Sequence, residues 1–470
     1  MNRKDIFSNI FIAISAQAVS LVMSFLVAFV LPKILDVEAY SFWQLFMFYI
    51  SYVGLLHFGV NDGVYLKYGS LDFDKMSKES VAGQFHILLL MQILLVVILS
   101  LVTINSKMDI SRSNVCIYAI FYILLFNLSN YLSYILQAAN LTRLYSYSVL
   151  IDKLFFIFTL IILMCFKSDH FNIYILFYLI GRGLCLAYCM MKCRRLIFVK
   201  ITSYTKAWHE LLDSMSVGIK LTLSAIASML ILGIGRFAID MHWGIVLFGQ
   251  ISFAISLSYF MLTFIQQIGM VFFPILKRVD CNRQKIIYNY MYMFCFFILP
   301  LMYILIIPLK NVIAHWLPQY SQSIYFLGTI LPICIFEAKM QLIYNTFFKV
   351  LRQEKYLLKI NLISMIISFI LTLCSVYILH SYHAVIMSMV CVIILRCLFA
   401  ETVISRYMAF NGTKFAITEI FVAITYIALS ITCNYTILLS VLLIVYTLIP
   451  IIYLSYFRQF IQASKRYIVN

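Results

Sequence analysis

Charged residues are scarce in this chain. Only 11% of its 470 residues are Asp, Glu, Lys or Arg, whereas a soluble domain carries about 25%. Hydrophobic residues make up 64% of the sequence, more than a soluble fold could bury. The bilayer must therefore be the solvent for most of the chain, and we expect an all-α, polytopic membrane protein.

The motifs of enzymes and metal sites are also missing. The sequence has no Walker A glycine loop, no H-E-x-x-H and no G-x-S-x-G. Its 12 cysteines form no C-x-x-C pair, and we interpret Cys185, Cys189 and Cys193, spaced four apart, as an apolar packing stripe. The longest loops, near residues 61–84 and 192–214, are too short for a further domain. We expect no enzyme activity, no bound metal and no cofactor.

Fourteen apolar stretches have the roughly 20 residues that a spanning helix needs. With the N-terminus inside, cytoplasmic segments hold about 24 basic residues and outer loops about 6. This asymmetry predicts a multi-pass membrane protein with both termini in the cytoplasm. The net charge of +17 then indicates topology signals and contacts with membrane lipids, not nucleic-acid binding.

A weak internal repeat divides the chain. Residues 29–32 and 39–44 resemble residues 237–240 and 247–252 at one offset of 208. The match predicts two pseudo-symmetric six-helix lobes, a basic cytoplasmic linker and an additional C-terminal hairpin. We place these at residues 1–191 and 215–404, 192–214, and 415–457, respectively. Parallel repeats of this kind place a substrate site between the lobes.

Basic residues inside the predicted spans suggest a cationic lumen. Each costs about 2.5–3.5 kcal/mol at a helix centre, so it normally faces a bundle interior or a water-filled path. Fewer acids share the spans, namely Asp152, Glu337 and Glu401, so a net positive interior is expected to attract a phosphate-bearing substrate. The candidate substrate-binding residues are Arg182, Lys220, Arg396, Lys339, Arg236 and Lys153.

Structural ion pairs are the alternative for several of these cations. Lys153, placed near the cytoplasmic end of its span, could snorkel or pair with Asp152. Lys339 and Glu337 are two residues apart and point to different faces, so they need separate partners. Arg396 could pair with Glu337, with Glu401 or with a partner that the sequence does not reveal.

Polar residues at helical spacing also fit a lumen. The candidate lining residues are Gln17, Ser252, Ser256, Tyr259 and Gln266. Close packing of helices through small residues is the competing explanation for the serine stripes.

Two segments resemble a known family. Residues 31–69, with FGVNDGVYLKYG at 58–69, and residues 344–361, with YNTFFKVLRQEK at 344–355, resemble the Wzx-like polysaccharide flippases. These belong to the polysaccharide-transporter branch of the multidrug/oligosaccharidyl-lipid/polysaccharide (MOP) superfamily. The sequence departs from many relatives at Asp36 and Ser41, where glycine is typical.

The resemblance implies a V-shaped, two-lobe transporter with alternating access. Its substrate would be an undecaprenyl-diphosphate-linked repeat unit of O-antigen or capsule, moved to the periplasmic leaflet for lipopolysaccharide or capsule synthesis. Candidate partners are a counter-ion, H⁺ or Na⁺, a polysaccharide polymerase and a chain-length regulator. Two alternatives share the fold: a lipid II-type flippase and a MATE-like multidrug or organic-cation antiporter. None of the family's substrate-binding residues can be carried over by motif.

Overall fold

A computed structural model describes the backbone of residues 3–69, 71, 73–304, 306–432 and 435–458. It describes their side chains as well, except at residues 3–10, 266–275, 278, 306, 307 and 435. Every regular element in the described residues is a helix, and 13 helices are long and apolar enough to cross a membrane. The predicted all-α membrane fold is thereby confirmed. A shorter apolar helix, Thr436–Ile452, occupies the place of the fourteenth predicted span.

The chain forms two compact units, Met1–Met229 and Leu230–Asn470. Unit 1 contains α1 to α9 and the first part of α10. Their bounds are α1 Arg3–Phe25, α2 Leu31–Ile34, α3 Val37–Ile50, α4 Val60–Tyr68, α5 Lys78–Asn105, α6 Ile110–Ala138, α7 Thr142–Cys165, α8 Phe171–Lys192, α9 Arg194–Ile197 and α10 Tyr204–Trp243.

Helix α6 lies at the centre of unit 1, where it contacts α3, α4, α5, α7 and α8. Side-chain caps define several helix starts: Asp36 accepts a 2.6 Å hydrogen bond from the backbone N–H of Ala39 at the start of α3. The three cysteines of the predicted packing stripe are buried in the apolar cluster that α5, α6 and α8 share. Burial among apolar side chains agrees with our interpretation of them as core residues.

The second predicted span is interrupted. Helix α3 gives way to a 3₁₀ turn, Val53–His57, and α4 begins at Val60. Phe58 and Gly59 join the turn to α4 with φ angles of 52° and 86°, and the second is a conformation that glycine adopts without strain. A Cβ on Gly63 would lie 1.8 Å from the carbonyl oxygen of Ser214, so glycine is needed for α4 to approach α10 this closely.

Unit 2 contains the rest of α10 and α11 to α19. Their bounds are α11 Ile245–Arg278, α12 Cys281–Ile298, α13 Ile306–Trp316, α14 Ser321–Lys339, α15 Asn345–Val350, α16 Glu354–Tyr377, α17 Tyr382–Met408, α18 Thr413–Thr432 and α19 Tyr435–Ile452. Helix α14 is central: it contacts α11, α13, α17 and α18, and its most apolar stretch is 94% buried. A π-helical turn, Met340–Tyr344, joins α14 to α15.

Two helix starts lie at the offset of the sequence repeat. Helix α3 begins at Val37 and α11 at Ile245, which are 208 residues apart, as in the internal sequence match. The boundaries of the two six-helix lobes stay a prediction.

Candidate functional site

In unit 1, two of the predicted cations share one carboxylate. Arg182 Nη1 lies 3.3 Å from Asp152 Oδ2, and Lys153 Nζ lies 3.6 Å from the same oxygen. The side chains of Arg182, Lys153 and Asp152 are only 12%, 24% and 6% exposed. We call these three residues the α7–α8 charge cluster. Its formal charge is +1.

Glycine brings the two helices of this cluster together. A Cβ on Gly181 would lie 3.2 Å from the carbonyl oxygen of Asp152, tighter than an ordinary van der Waals contact. Arg182 is the next residue along α8, so the close approach places its guanidinium beside the Asp152 carboxylate. Gly183 has nothing within 4 Å of its Cβ position, so the other flank of Arg182 is open.

Aromatic rings surround the cationic side chains. The Arg182 guanidinium carbon lies 4.7 Å from the ring centroid of Phe126, and Lys153 Nζ lies 5.9 Å from that of Tyr178. Tyr178 itself packs against Phe156 and Trp43, with ring centroids 5.2 and 5.8 Å apart. A ring face stabilises a cation without neutralising its charge. The cluster therefore keeps its excess positive charge.

The guanidinium also keeps an unused donor. Arg182 Nε is buried and has no hydrogen-bond partner among the described residues. An arginine presents five N–H donors in a fixed fork that fits phosphate or carboxylate oxygens. An anion bound here would therefore be stabilised both by electrostatic attraction and by a hydrogen bond.

The cluster lies near the middle of the lengths of two membrane-spanning helices. Arg182 is near the middle of α8, Phe171–Lys192, and Asp152 and Lys153 are near the middle of α7, Thr142–Cys165. Lys153 lies in α7, Thr142–Cys165, and its predicted position near the cytoplasmic end of the membrane span stays a prediction.

The two predicted cations on α10, Lys220 and Arg236, have different surroundings. Lys220 is exposed and makes no ion pair with a described residue. Arg236 donates to Ser252 Oγ from Nε and Nη2 at 3.2 and 3.0 Å, and its guanidinium carbon lies 5.2 Å from the ring centroid of Phe248. They belong to different units.

In unit 2, the predicted cations Lys339 and Arg396 are enclosed in ion pairs. Lys339 Nζ lies 3.0 Å from Glu401 Oε2 and 2.7 Å from Glu419 Oε2. Tyr292 and Tyr344 also donate to Glu401, at 2.7 and 2.9 Å. All three charged side chains are less than 10% exposed, at 2%, 6% and 9%. We call these three residues the Lys339 triad.

A second buried pair lies beside the Lys339 triad in sequence. Arg396 Nη1 donates to Glu337 Oε2 at 2.8 Å, and its Nε donates to Asn361 Oδ1 at 2.9 Å. The prediction that Lys339 and Glu337 need separate partners is confirmed. Of the two acids weighed for Arg396, the structure selects Glu337.

The expectation of a net positive interior is wrong for this part of unit 2. Two cations, Lys339 and Arg396, face three carboxylates, because Glu419 of α18 joins the other two. Glu419, Asn361 and the two tyrosines were not among the predicted site residues. An acid inside an apolar span was the available signal for Glu419, since such a residue normally has a buried partner. Nothing in the sequence singled out Asn361.

The predicted polar lining residues are not equivalent. Ser252 is fully buried beside Arg236, Gln17 and Ser256 are half-buried, and Tyr259 is exposed. The side chain of Gln266 lies outside the described residues. Their shared role as a lumen lining stays a prediction.

The sequence matches no protein-family model and no curated protein, but solved structures resemble it. The lipid II flippase MurJ in its inward closed conformation is 12% identical, with a TM-score of 0.64 over 96% of this chain and 99% of that one. An inward-facing MATE multidrug transporter of the MOP superfamily is 12% identical, with a TM-score of 0.55 over 84% and 98%. The chain has the fold of the MOP superfamily transporters. Similarity to an outward-facing MATE transporter, 13% identical with a TM-score of 0.51 over 86% and 95%, agrees.

At this identity, the similarity to MOP transporters establishes the fold alone. It makes the chain a multi-pass membrane protein whose structural neighbours are transporters and a flippase. The Wzx-like branch and the nature of the substrate belong to the proposal that follows.

Proposed function

We propose that this protein is a flippase for an undecaprenyl-diphosphate-linked oligosaccharide of O-antigen or capsular type. It moves the repeat unit from the cytoplasmic to the periplasmic leaflet of the bacterial inner membrane, with both its termini in the cytoplasm. One observation carries the choice of an anionic substrate: in the α7–α8 charge cluster, Arg182 and Lys153 share a single carboxylate at mid-helix.

A diphosphate head cannot cross hydrocarbon unaided, because burying an isolated charge is prohibitively costly. The α7–α8 charge cluster supplies what would offset that cost: excess positive charge, low exposure and an arginine N–H without a partner. An arginine fork binds phosphate oxygens with charge-assisted hydrogen bonds. We assign Arg182 the role of contacting the diphosphate, and Lys153 and Lys220 supporting roles.

Transport requires no catalytic step in this proposal. The energy would come from substrate supply and consumption or from a counter-ion, H⁺ or Na⁺. The membrane potential contributes about 2.3 kcal/mol per charge for each 100 mV. The polysaccharide polymerase and the chain-length regulator would act on the product at the periplasmic face.

Complementation tests the proposal. In a deletion strain that lacks its surface glycan, Arg182→Ala should fail to restore the glycan although the protein reaches the membrane at the normal level. Arg182→Lys should restore it in part, because it keeps the charge and loses the fork. Arg143→Ala is the matched control, since Arg143 is an exposed arginine at the start of α7. Normal glycan display with Arg182→Ala would reject the assigned role.

Two other substrates are compatible with the fold. A lipid II-type flippase would also carry a diphosphate, and the similarity to the lipid II flippase over nearly the whole chain favours it as the second candidate. Depletion of the protein separates the two: loss of a lipid II flippase stops cell-wall synthesis, whereas loss of a repeat-unit flippase removes only the surface polymer. A MATE-like organic-cation antiporter needs an acid available to its cargo, and Asp152 already serves two cations.

A further inference from the structure

A second cationic site lies in unit 1, away from the α7–α8 charge cluster. A cavity of about 570 Å³ is formed where the start of α5, the end of α8 and the short α9 meet. Four basic residues line it: Lys78, Lys192, Arg194 and Arg195. We call it the α5–α8–α9 cavity. Lys192, Arg194 and Arg195 are close together in sequence, and the fold adds Lys78 from the start of α5.

The described residues leave the charge of this cavity unbalanced. Among the described residues that line it, Asp74 is the one acid against four cations, which gives these residues a formal charge of +3. None of the four basic side chains makes an ion pair with a residue that the structure describes. Lys192 Nζ only approaches the ring of Tyr188, at 5.6 Å from the centroid. Four like charges around one cavity repel one another, and an anion in the cavity relieves that repulsion.

The position of the cavity selects among anions. Lys192 is the last residue of the membrane-spanning α8, and Lys78 is the first of α5, so the cavity lies at the level of the lipid headgroups. Its wall also includes Met191, which is 62% exposed and offers an apolar surface to an acyl or isoprenoid chain. A basic pocket at this depth, with an apolar flank, fits the phosphate of a lipid better than a free ion in water.

We propose that the α5–α8–α9 cavity binds the phosphate group of a lipid, with Arg194 and Arg195 as its main ligands. Two sources offer this chemistry: an anionic lipid of the bilayer, or the diphosphate of the carried glycolipid. The second source rests on the proposed function, whereas the first does not. Lys192 is ten residues from Arg182 along α8, about 15 Å at the rise of an α-helix. A diphosphate held in the cavity would thus be about 15 Å from the α7–α8 charge cluster.

Lipid retention by the full-length protein tests this proposal. The protein is placed in phosphatidylcholine nanodiscs that contain either phosphatidylglycerol or undecaprenyl diphosphate, and the lipids that stay bound are counted by native mass spectrometry. Arg194→Gln with Arg195→Gln should weaken retention roughly thirtyfold, the effect of two cations at a membrane surface. Arg143→Gln with Lys200→Gln is the matched control, since both residues are exposed and neither lines the cavity.

A second double variant of the cavity controls for a folding defect in the first. Lys78→Gln with Lys192→Gln alters the same cavity from two other helices, and both side chains are exposed. Loss of both lipids in the cavity variants, but not in the control, supports a general lipid-phosphate site. Loss of only one lipid also supports the site and identifies its source. Unchanged retention in both cavity variants, or equal loss in the control, overturns the proposal. A surface-glycan result that rejects the flippase leaves the phosphatidylglycerol measurement standing.

Discussion

Replacing Lys339 by methionine should severely destabilise unit 2. In the Lys339 triad this ammonium is 2% exposed and is the cation between Glu401 and Glu419. Removing the ammonium takes the cationic partner away from two buried carboxylates. Breaking a buried ion pair in this way costs about 3–5 kcal/mol. That is a large part of the 5–15 kcal/mol that typically separates folded from unfolded protein.

The same geometry predicts that Glu419→Gln is mild. Among the described residues, the carboxylate of Glu419 accepts a hydrogen bond from Lys339 alone, whereas that of Glu401 also accepts from Tyr292 and Tyr344. A glutamine at 419 still offers Lys339 an acceptor oxygen and removes the unmatched negative charge of this region. Glu401→Gln should be intermediate, because three donors there lose a charged acceptor.

The double variant provides the decisive comparison. Lys339→Met with Glu419→Gln leaves one buried carboxylate, that of Glu401, with two tyrosine donors. It should therefore recover part of the stability that Lys339→Met loses. The assay is the fraction of detergent-solubilised protein that remains monodisperse after heating, followed by fluorescence-detected size exclusion. The reasoning is refuted if Glu419→Gln is as damaging as Lys339→Met, or if the double variant melts no higher than the lysine variant.

Three further predictions concern unit 1 and use the same heating assay. Gly218→Ala should lower stability by about 1–3 kcal/mol, since its Cβ would lie 2.0 Å from the carbonyl oxygen of Gly59. Gly183→Ala, with open space around the new Cβ, is the control. An equal loss of stability in the control would contradict the packing argument. Asp152→Asn should destabilise by about 3–5 kcal/mol, because Arg182 and Lys153 lose the carboxylate they share. An unchanged melting temperature would show that water already solvates the two cations. Trp43→Ala should cost about 3–5 kcal/mol, since the ring is 0% exposed, and a loss below about 1 kcal/mol would show that the site collapses around the cavity.

The local interruptions of the helices were beyond sequence reasoning. The 3₁₀ turn at Val53–His57 and the π-helical turn at Met340–Tyr344 both lie inside continuous apolar stretches. Hydropathy sums side-chain transfer energies, so it is insensitive to a turn that is tighter or wider than an α-helical turn. The surroundings of each break are visible only in three dimensions: α4, which follows the first, packs closely against α10, and the second follows Lys339 directly and includes Tyr344, which donates to Glu401.

The sequence by itself determined the solvent, the secondary structure and the presence of costly charges in the spans. These follow from composition and local period, because about 20 apolar residues in a row must form a helix to satisfy their backbone in lipid. It even identified Arg182, Lys153, Lys339 and Arg396 as residues that need an explanation.

Only the tertiary structure decided which charge each of these residues faces. Arg182 and Lys153 share one acid and keep an excess positive charge, whereas Lys339 and Arg396 are enclosed by three acids. Apart from Asp152, which is next to Lys153 on α7, the partners come from other helices, up to 80 residues away along the chain. Electrostatic energy in a low-dielectric interior depends on distances of a few ångströms, and helix packing, not the order of residues, sets those distances.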